Sequence, residues 1–139
     1  MHARGLLDTS VVIDLHLVAE AALPAELAIS SLTLAELAAG PHATDDVDER
    51  ARRQQRLQQV EASFEALPFD AAAARAFGRV YAATLSAGRK GRGRRAVDLM
   101  IASVALASQL PLYTCNPADF AGLEQIVEIV PVAPSPGAG

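Results

Sequence analysis

Leu6-Leu7-Asp8-Thr9-Ser10-Val11-Val12-Ile13-Asp14 is the stretch that decides how the chain folds. Residues 5–8 are a short apolar run closing on a carboxylate. From Ser10 the apolar positions change to Val11, Val12, Leu15 and Val18, the spacing of one helix face. A strand, a tight turn and a helix are predicted. The unit recurs: residues 27–30 form a second short strand, and Thr33-Leu34-Ala35-Glu36 carries the S/T-x-x-E pattern of a capping box opening a helix. Parallel neighbours need long crossovers, which are usually helical, so short strands alternating with helices predict a parallel sheet covered on both sides.

Further along, residues 45–64 predict a long helix whose acidic start (Asp45, Asp46, Asp48, Glu49) and later arginines complement the helix dipole. Leu67-Pro68-Phe69 is a brief extended connection, and Asp70 caps an Ala-rich helix running to about residue 87. Residues 96–110 predict a buried helix with Asp98 in its first turn, 112–114 a strand, 116–119 a turn, and 126–132 a last β-rich run. Asp14 falls in the first helix as a solvated charge. The expected class is α/β, with one domain over residues 1–132 and a disordered tail over 133–139.

The composition agrees with a single domain. The chain has 139 residues, 51% of them apolar and 20% charged, which suits a packed core and excludes a disordered chain. No apolar stretch approaches the roughly 20 residues that span a bilayer. Asp8 and Asp14 interrupt the first apolar run, so it lacks the unbroken core of a secretory signal, and a cytoplasmic protein is expected. The single cysteine, Cys115, excludes an intrachain disulfide and reads as a small packing residue. His2, His16 and His42 are scattered, and no Cys/His cluster suggests zinc.

The net charge is −4, yet Arg89, Lys90, Arg92, Arg94 and Arg95 fall within seven residues, spaced by Gly91 and Gly93. Such a run is either a solvated loop or a contact for phosphates, which arginine neutralises without reading sequence.

In open α/β sheets ligands sit beyond the carboxyl ends of the strands. Four carboxylates stand where that edge should be: Asp8 after the first strand, Glu36 near the start of the next helix, Asp98 on the buried helix and Asp119 after residues 112–114. Gathered together, they would repel unless a cation sat among them or some were protonated. An all-oxygen set suits Mg²⁺ or Mn²⁺, and acids of this kind are collected where phosphodiesters are hydrolysed by metal-activated water. Local explanations compete for three of them. Glu36 also reads as the capping-box partner of Thr33, Asp98 as a charge on the helix dipole, and Asp119 as a turn residue. Asp8 has no evident local need to be acidic.

Together, Leu6-Leu7-Asp8-Thr9-Ser10, Ser30-Ser31-Leu32-Thr33-Leu34-Ala35-Glu36-Leu37, Asp98-Leu99-Met100-Ile101-Ala102 and Thr114-Cys115-Asn116-Pro117-Ala118-Asp119-Phe120 resemble the PIN-domain ribonucleases of the VapC toxin type, over about residues 4–132. The resemblance implies a three-layer α/β/α sandwich with a central, mostly parallel sheet. It also implies an Mg²⁺- or Mn²⁺-dependent endoribonuclease that is the toxin of a toxin–antitoxin pair, cutting transfer or ribosomal RNA to leave a 5′-phosphate and a 3′-hydroxyl. Asp8, Glu36 and Asp98 match the family's three acids and Asp119 its more variable fourth, with Asp8 and Asp98 holding the metal most directly. Thr114 and Asn116 match site-shaping residues, and Cys115 stands where relatives often have arginine. The same likeness implies a VapB-type antitoxin placing an arginine or similar group into the acidic site, and a homodimer built on the apolar faces of the first helices. It also turns residues 89–95 into an RNA contact, with base stacking minor because aromatics are few.

Two other acid-bearing folds fit poorly. A receiver domain needs an acidic pair after its first strand and a late lysine, but Thr9 follows Asp8 and Lys90 is the only lysine. A haloacid-dehalogenase-like phosphatase needs D-x-D, which Asp8-Thr9-Ser10 lacks. The remaining alternative is a PIN-like domain that binds RNA or a partner without cutting, against which the full set of four acids counts.

Overall fold

Five short strands lie side by side in the computed structural model, which describes residues 2–91 and 93–135 and leaves the Arg94 side chain undescribed. They are β1 (Arg4–Leu7), β2 (Glu26–Ser30), β3 (Glu65–Leu67), β4 (Leu112–Thr114) and β5 (Ile129–Pro131). The sheet order is β3-β2-β1-β4-β5, and every neighbouring pair is parallel. All five carboxyl ends therefore share one edge. The chain builds outward from β1 in one direction, then returns to add β4 and β5 on the other side, so the order reverses between β1 and β4. That crevice is where ligands of open α/β sheets bind.

Helices cover both faces: α1 (Thr9–Ile13), α2 (Ser31–Ala39), α3 (Val47–Ser63), α4 (Ala71–Ser86) and α5 (Arg94–Ser108). Successive strand residues point to opposite faces, and the core divides accordingly. Leu6, Ala28 and Leu112 join α4 and α5 in one cluster through Val80, Leu99, Val104 and Ala105. Leu7, Ile29 and Tyr113 join α1, α2 and α3 in the other through Val11, Val12, Leu37 and Val60. The expected α/β/α sandwich is the fold observed. Among the described residues, no helix is long and apolar enough to cross a membrane.

Some local expectations need correction. The first helix ends at Ile13 instead of continuing through Leu15 and Val18. Asp14 closes it, and a 3₁₀ turn over Leu15–Leu17 carries the chain back so that Leu15 and Val18 still pack in the core. The capping box at Thr33 does not form. Ser30 is the N-cap of α2, its Oγ accepting from the Thr33 N–H at 3.1 Å, which places Thr33 inside the helix and wholly buried. The buried helix starts at Arg94, ahead of the expected residue 96, so Asp98 lies beyond the first turn and has lost the dipole explanation. The extended connection at 67–69 is preceded by a true edge strand, β3, which ends where Pro68 removes a ladder donor. The last β-rich run narrows to Ile129–Pro131. Of the expected tail, residues 136–139 lie outside the described residues, while the Ser135 N–H donates to the Leu17 carbonyl at 2.7 Å.

Candidate active site

Asp8 sits in the crevice between β1 and β4. Its backbone N–H donates to the Tyr113 carbonyl at 3.0 Å, continuing the ladder one residue past the strand, and its side chain is buried. Three groups hold the carboxylate. Oδ1 accepts from Ser10 Oγ at 2.5 Å and from the Val11 N–H at 3.2 Å, and Oδ2 accepts from Thr114 Oγ1 at 2.5 Å. Asp8 is therefore also the N-cap of α1, a local role that its sequence position did not suggest. The hydroxyls can point only one way. Ser10 Oγ accepts from the Cys115 N–H and Thr114 Oγ1 from the Asn116 N–H, so each is left to give its single proton to Asp8. Burial pushes the Asp8 carboxyl up, and the bonds from Ser10, Thr114 and the backbone oppose it.

Glu36 approaches from α2. It is exposed, and its Oε1 accepts from Thr9 Oγ1 at 2.6 Å, so it reaches across to the residue after Asp8 instead of folding back on its own helix. The capping-box reading of Glu36 fails with the capping box itself.

Asp98 and Asp119 complete the set from α5 and from the 3₁₀ turn at Pro117–Phe120. The Asp98 carboxyl is pushed up to about 6, first by burial and then by the negative charges of Asp119, Asp8 and Glu36, with Arg95 opposing. Asp119, Asp8 and Glu36 thus each bear on Asp98 at the carboxyl edge. Asn116 contributes through its backbone N–H. Ser10, Thr9 and Thr33 were not singled out as site residues, although two hydroxyls directly after Asp8 were a usable signal.

The basic run is less free than a solvated loop. Arg89 donates to the Ala118 carbonyl at 2.7 Å and Arg95 to the Asp119 carbonyl at 2.8 Å, so two guanidinium groups hold the turn that carries Asp119. Gly91 is buried against Tyr81, and Gly93 has φ +71°, a conformation that side-chain-bearing residues rarely adopt. Lys90 is exposed, and Arg92 lies outside the described residues. Cys115 packs half-buried beside the second core cluster, with its thiol pushed up by burial. Away from the acids, a groove of about 640 Å³ runs between α1 and α3, lined by Val12, Ile13, Leu15, Phe64, Arg52 and Arg56 among others.

The donor set suits a hard divalent cation. It is all oxygen and electrostatically crowded, and among the described residues Arg95 opposes the acids at Asp98. Among the described residues no three His, Cys, Asp or Glu side chains come close enough to ligate one ion together.

The PIN-domain family model matches residues 5–124 of this chain. The chain belongs to the PIN-domain family. Ribonuclease VapC5 of Mycobacterium tuberculosis (strain ATCC 25618 / H37Rv) is 40% identical to this PIN domain over 135 residues, covering 94% of this chain and 96% of that protein. Among solved structures, VapBC-5 of the VapBC family of toxin–antitoxin systems from M. tuberculosis superposes with a TM-score of 0.82 at 42% identity, covering 94% of the PIN domain and 99% of that chain. VapBC-1 from nontypeable Haemophilus influenzae shares the fold, with a TM-score of 0.72 at 23% identity over 92% of this chain and 97% of that one. The resemblance drawn from the four motifs is borne out by these matches.

Proposed function

We propose that this PIN domain is an endoribonuclease dependent on Mg²⁺ or Mn²⁺ and that it serves as the toxin of a toxin–antitoxin pair. The observation that carries the reading is the placement of Asp8 at the sheet's switch point, its carboxylate held by Ser10, Val11 and Thr114, with the charges of Asp8, Glu36 and Asp119 all bearing on Asp98. The 40% identity to a ribonuclease along nearly the whole chain supports the same reaction class.

Asp8 and Asp98 are the residues that would hold the ion. Asp8 is the better fixed, because three donors leave its carboxylate little freedom. Bound there, the ion would supply Lewis acidity, favouring ionisation of a water and offsetting charge on the phosphate oxygens. Glu36 and Asp119 flank the pair and are the candidates to orient the attacking water and accept its proton, a role that typically contributes about 10²–10⁴-fold. Attack at phosphorus forms the new P–O bond, breaks the bond to the 3′ oxygen, and leaves a 5′-phosphate and a 3′-hydroxyl. Arg89 and Arg95 also hold the turn that carries Asp119, and among the described side chains of the basic loop exposed Lys90 is the one most available to a phosphate.

The partner in this reading is a VapB-type antitoxin. A guanidinium is the natural guest of crowded carboxylates, because it satisfies them with paired charge-assisted hydrogen bonds. The groove between α1 and α3, with an apolar floor and Arg52 and Arg56 on its rim, would seat the rest of the antitoxin segment. The expected homodimer belongs to the same proposal, with the 38%-exposed Ile13 of α1 as an apolar contribution. In this reading the protein acts in the cytoplasm, where its RNA substrate would be. The test is incubation of antitoxin-free protein with transfer and ribosomal RNA in Mg²⁺, Mn²⁺ or chelator. Discrete fragments with 5′-phosphate ends, abolished by chelator, are expected. Binding without cleavage in either metal would instead support an RNA-binding role.

A further inference from the structure

Thr9 Oγ1 stands between two motifs: it lies 2.6 Å from Glu36 Oε1 and 3.0 Å from Thr33 Oγ1. A hydroxyl has one proton to give. With Glu36 as a carboxylate, which only accepts, Thr9 must donate to it and accept from Thr33. Thr33 Oγ1 is in turn 3.5 Å from Ser30 Oγ, a long contact, and Ser30 Oγ accepts the Thr33 N–H at 3.1 Å. Thr33 and Ser30 are both wholly buried. A file of hydroxyls thus runs from the interior of β2 and α2 to the tip of Glu36, with every proton directed outward. Glu36 itself is exposed, and among the described contacts Thr9 is its only hydrogen-bond partner.

From this geometry we infer that Thr9, backed by Thr33, is the positioning residue for Glu36, fixing one carboxylate rotamer beside Asp8. The inference rests on Glu36 having the role proposed above. Thr9 follows Asp8, whose backbone is pinned by the ladder bond to Tyr113 and whose carboxylate caps α1, so the Thr9 hydroxyl inherits a fixed position. An exposed glutamate samples many rotamers, and a single bond from a rigid donor selects one of them. Partners that orient site groups from behind typically change affinity or activity by about 10–100-fold when removed.

The test uses the full chain with Thr9→Val, Thr9→Ser, Glu36→Gln and the double variant Thr9→Val/Glu36→Gln. Thr9→Val should lower kcat for RNA cleavage about 10–100-fold with little change in KM, and Thr9→Ser should restore it. The double variant should be no worse than Glu36→Gln alone, because Thr9 acts only through Glu36. Independently of activity, crystal structures of the metal-free proteins should show one Glu36 rotamer in the wild type and several in Thr9→Val. If Thr9→Val leaves kcat and the Glu36 rotamer unchanged while Glu36→Gln is impaired, the positioning role is wrong and the role of Glu36 stands. Multiplicative losses in the double variant would also overturn it. If Glu36→Gln is fully active, the proposed role of Glu36 itself has failed.

Discussion

Thr114 Oγ1 donates to Asp8 Oδ2 at 2.5 Å, joining residues 106 apart in sequence across the boundary between β1 and β4. Both residues are buried, and the Asn116 N–H occupies the acceptor side of the hydroxyl, so the proton has one direction to go. Thr114→Val keeps the shape and removes that donor. It is expected to reduce RNA cleavage by about 10–100-fold and to destabilise the chain by about 1–3 kcal/mol, because a buried carboxylate oxygen loses its partner. Thr114→Ser should restore most of both. Paired cleavage rates and urea unfolding curves check this.

Stability of the metal-free protein should depend on Asp98. Its carboxyl titrates at about 6 in the folded chain, whereas an unfolded aspartate titrates near 4. As pH falls, the folded state binds this proton first, so this group's contribution makes the protein more stable towards about pH 5 and less stable at about pH 7 and above. Asp98→Asn removes the crowded charge. After allowance for solvent screening of a half-buried group, the gain near pH 7 is about 1 kcal/mol, or roughly 2–8 °C in Tm, shrinking as the pH approaches 4. Thermal melts in chelator across that range provide the check.

Arg95 opposes the other charges acting on Asp98 and holds the Asp119 carbonyl at 2.8 Å. Arg95→Gln should therefore move the Asp98 carboxyl further above about 6 and loosen the turn at Pro117–Phe120. Carboxyl ¹³C NMR of the metal-free protein reads the first effect. Backbone amide exchange at Asp119 reads the second, and unchanged exchange there would remove the structural role given to Arg95.

Gly91 is enclosed by the Tyr81 ring, and a Cβ at this position would lie 2.5 Å from Tyr81 Cε2 and 3.2 Å from Leu99 Cδ1. Gly91→Ala forces the ring or the loop to shift, and overpacking of this kind costs about 1–3 kcal/mol. A clear fall in Tm is expected, and a neutral substitution would show that the loop yields freely.

Much of this architecture was legible in the residues. Consecutive apolar residues such as Leu6 and Leu7 are what a sheet with two covered faces requires, and the two core clusters divide between them. Asp8 stood out because a carboxylate closed an apolar strand. The partners that fix the acids were much harder to see. Thr114 reaches Asp8 only because β4 returns to lie beside β1, a matter of strand order that linear spacing does not rank. The misplaced cap of α2 has a local cause. Ser30, Ser31 and Thr33 are all capable caps, and the choice fell on Ser30 because burial at the end of β2 left its Oγ to accept the Thr33 N–H. Nor could spacing show that Arg89 and Arg95 reach the carbonyls of Ala118 and Asp119, because those partners lie 29 and 24 residues further along the chain.

The central claim is that Asp8 and Asp98 hold a divalent ion used to hydrolyse RNA. Its most direct test measures Mn²⁺ binding by electron paramagnetic resonance and RNA cleavage on the same antitoxin-free preparations of wild type, Asp8→Asn and Asp98→Asn. Binding and 5′-phosphate fragments in the wild type, with both lost together in each variant that remains folded, are the predicted result. Cleavage that persists in either folded variant, or in chelator, would contradict the claim.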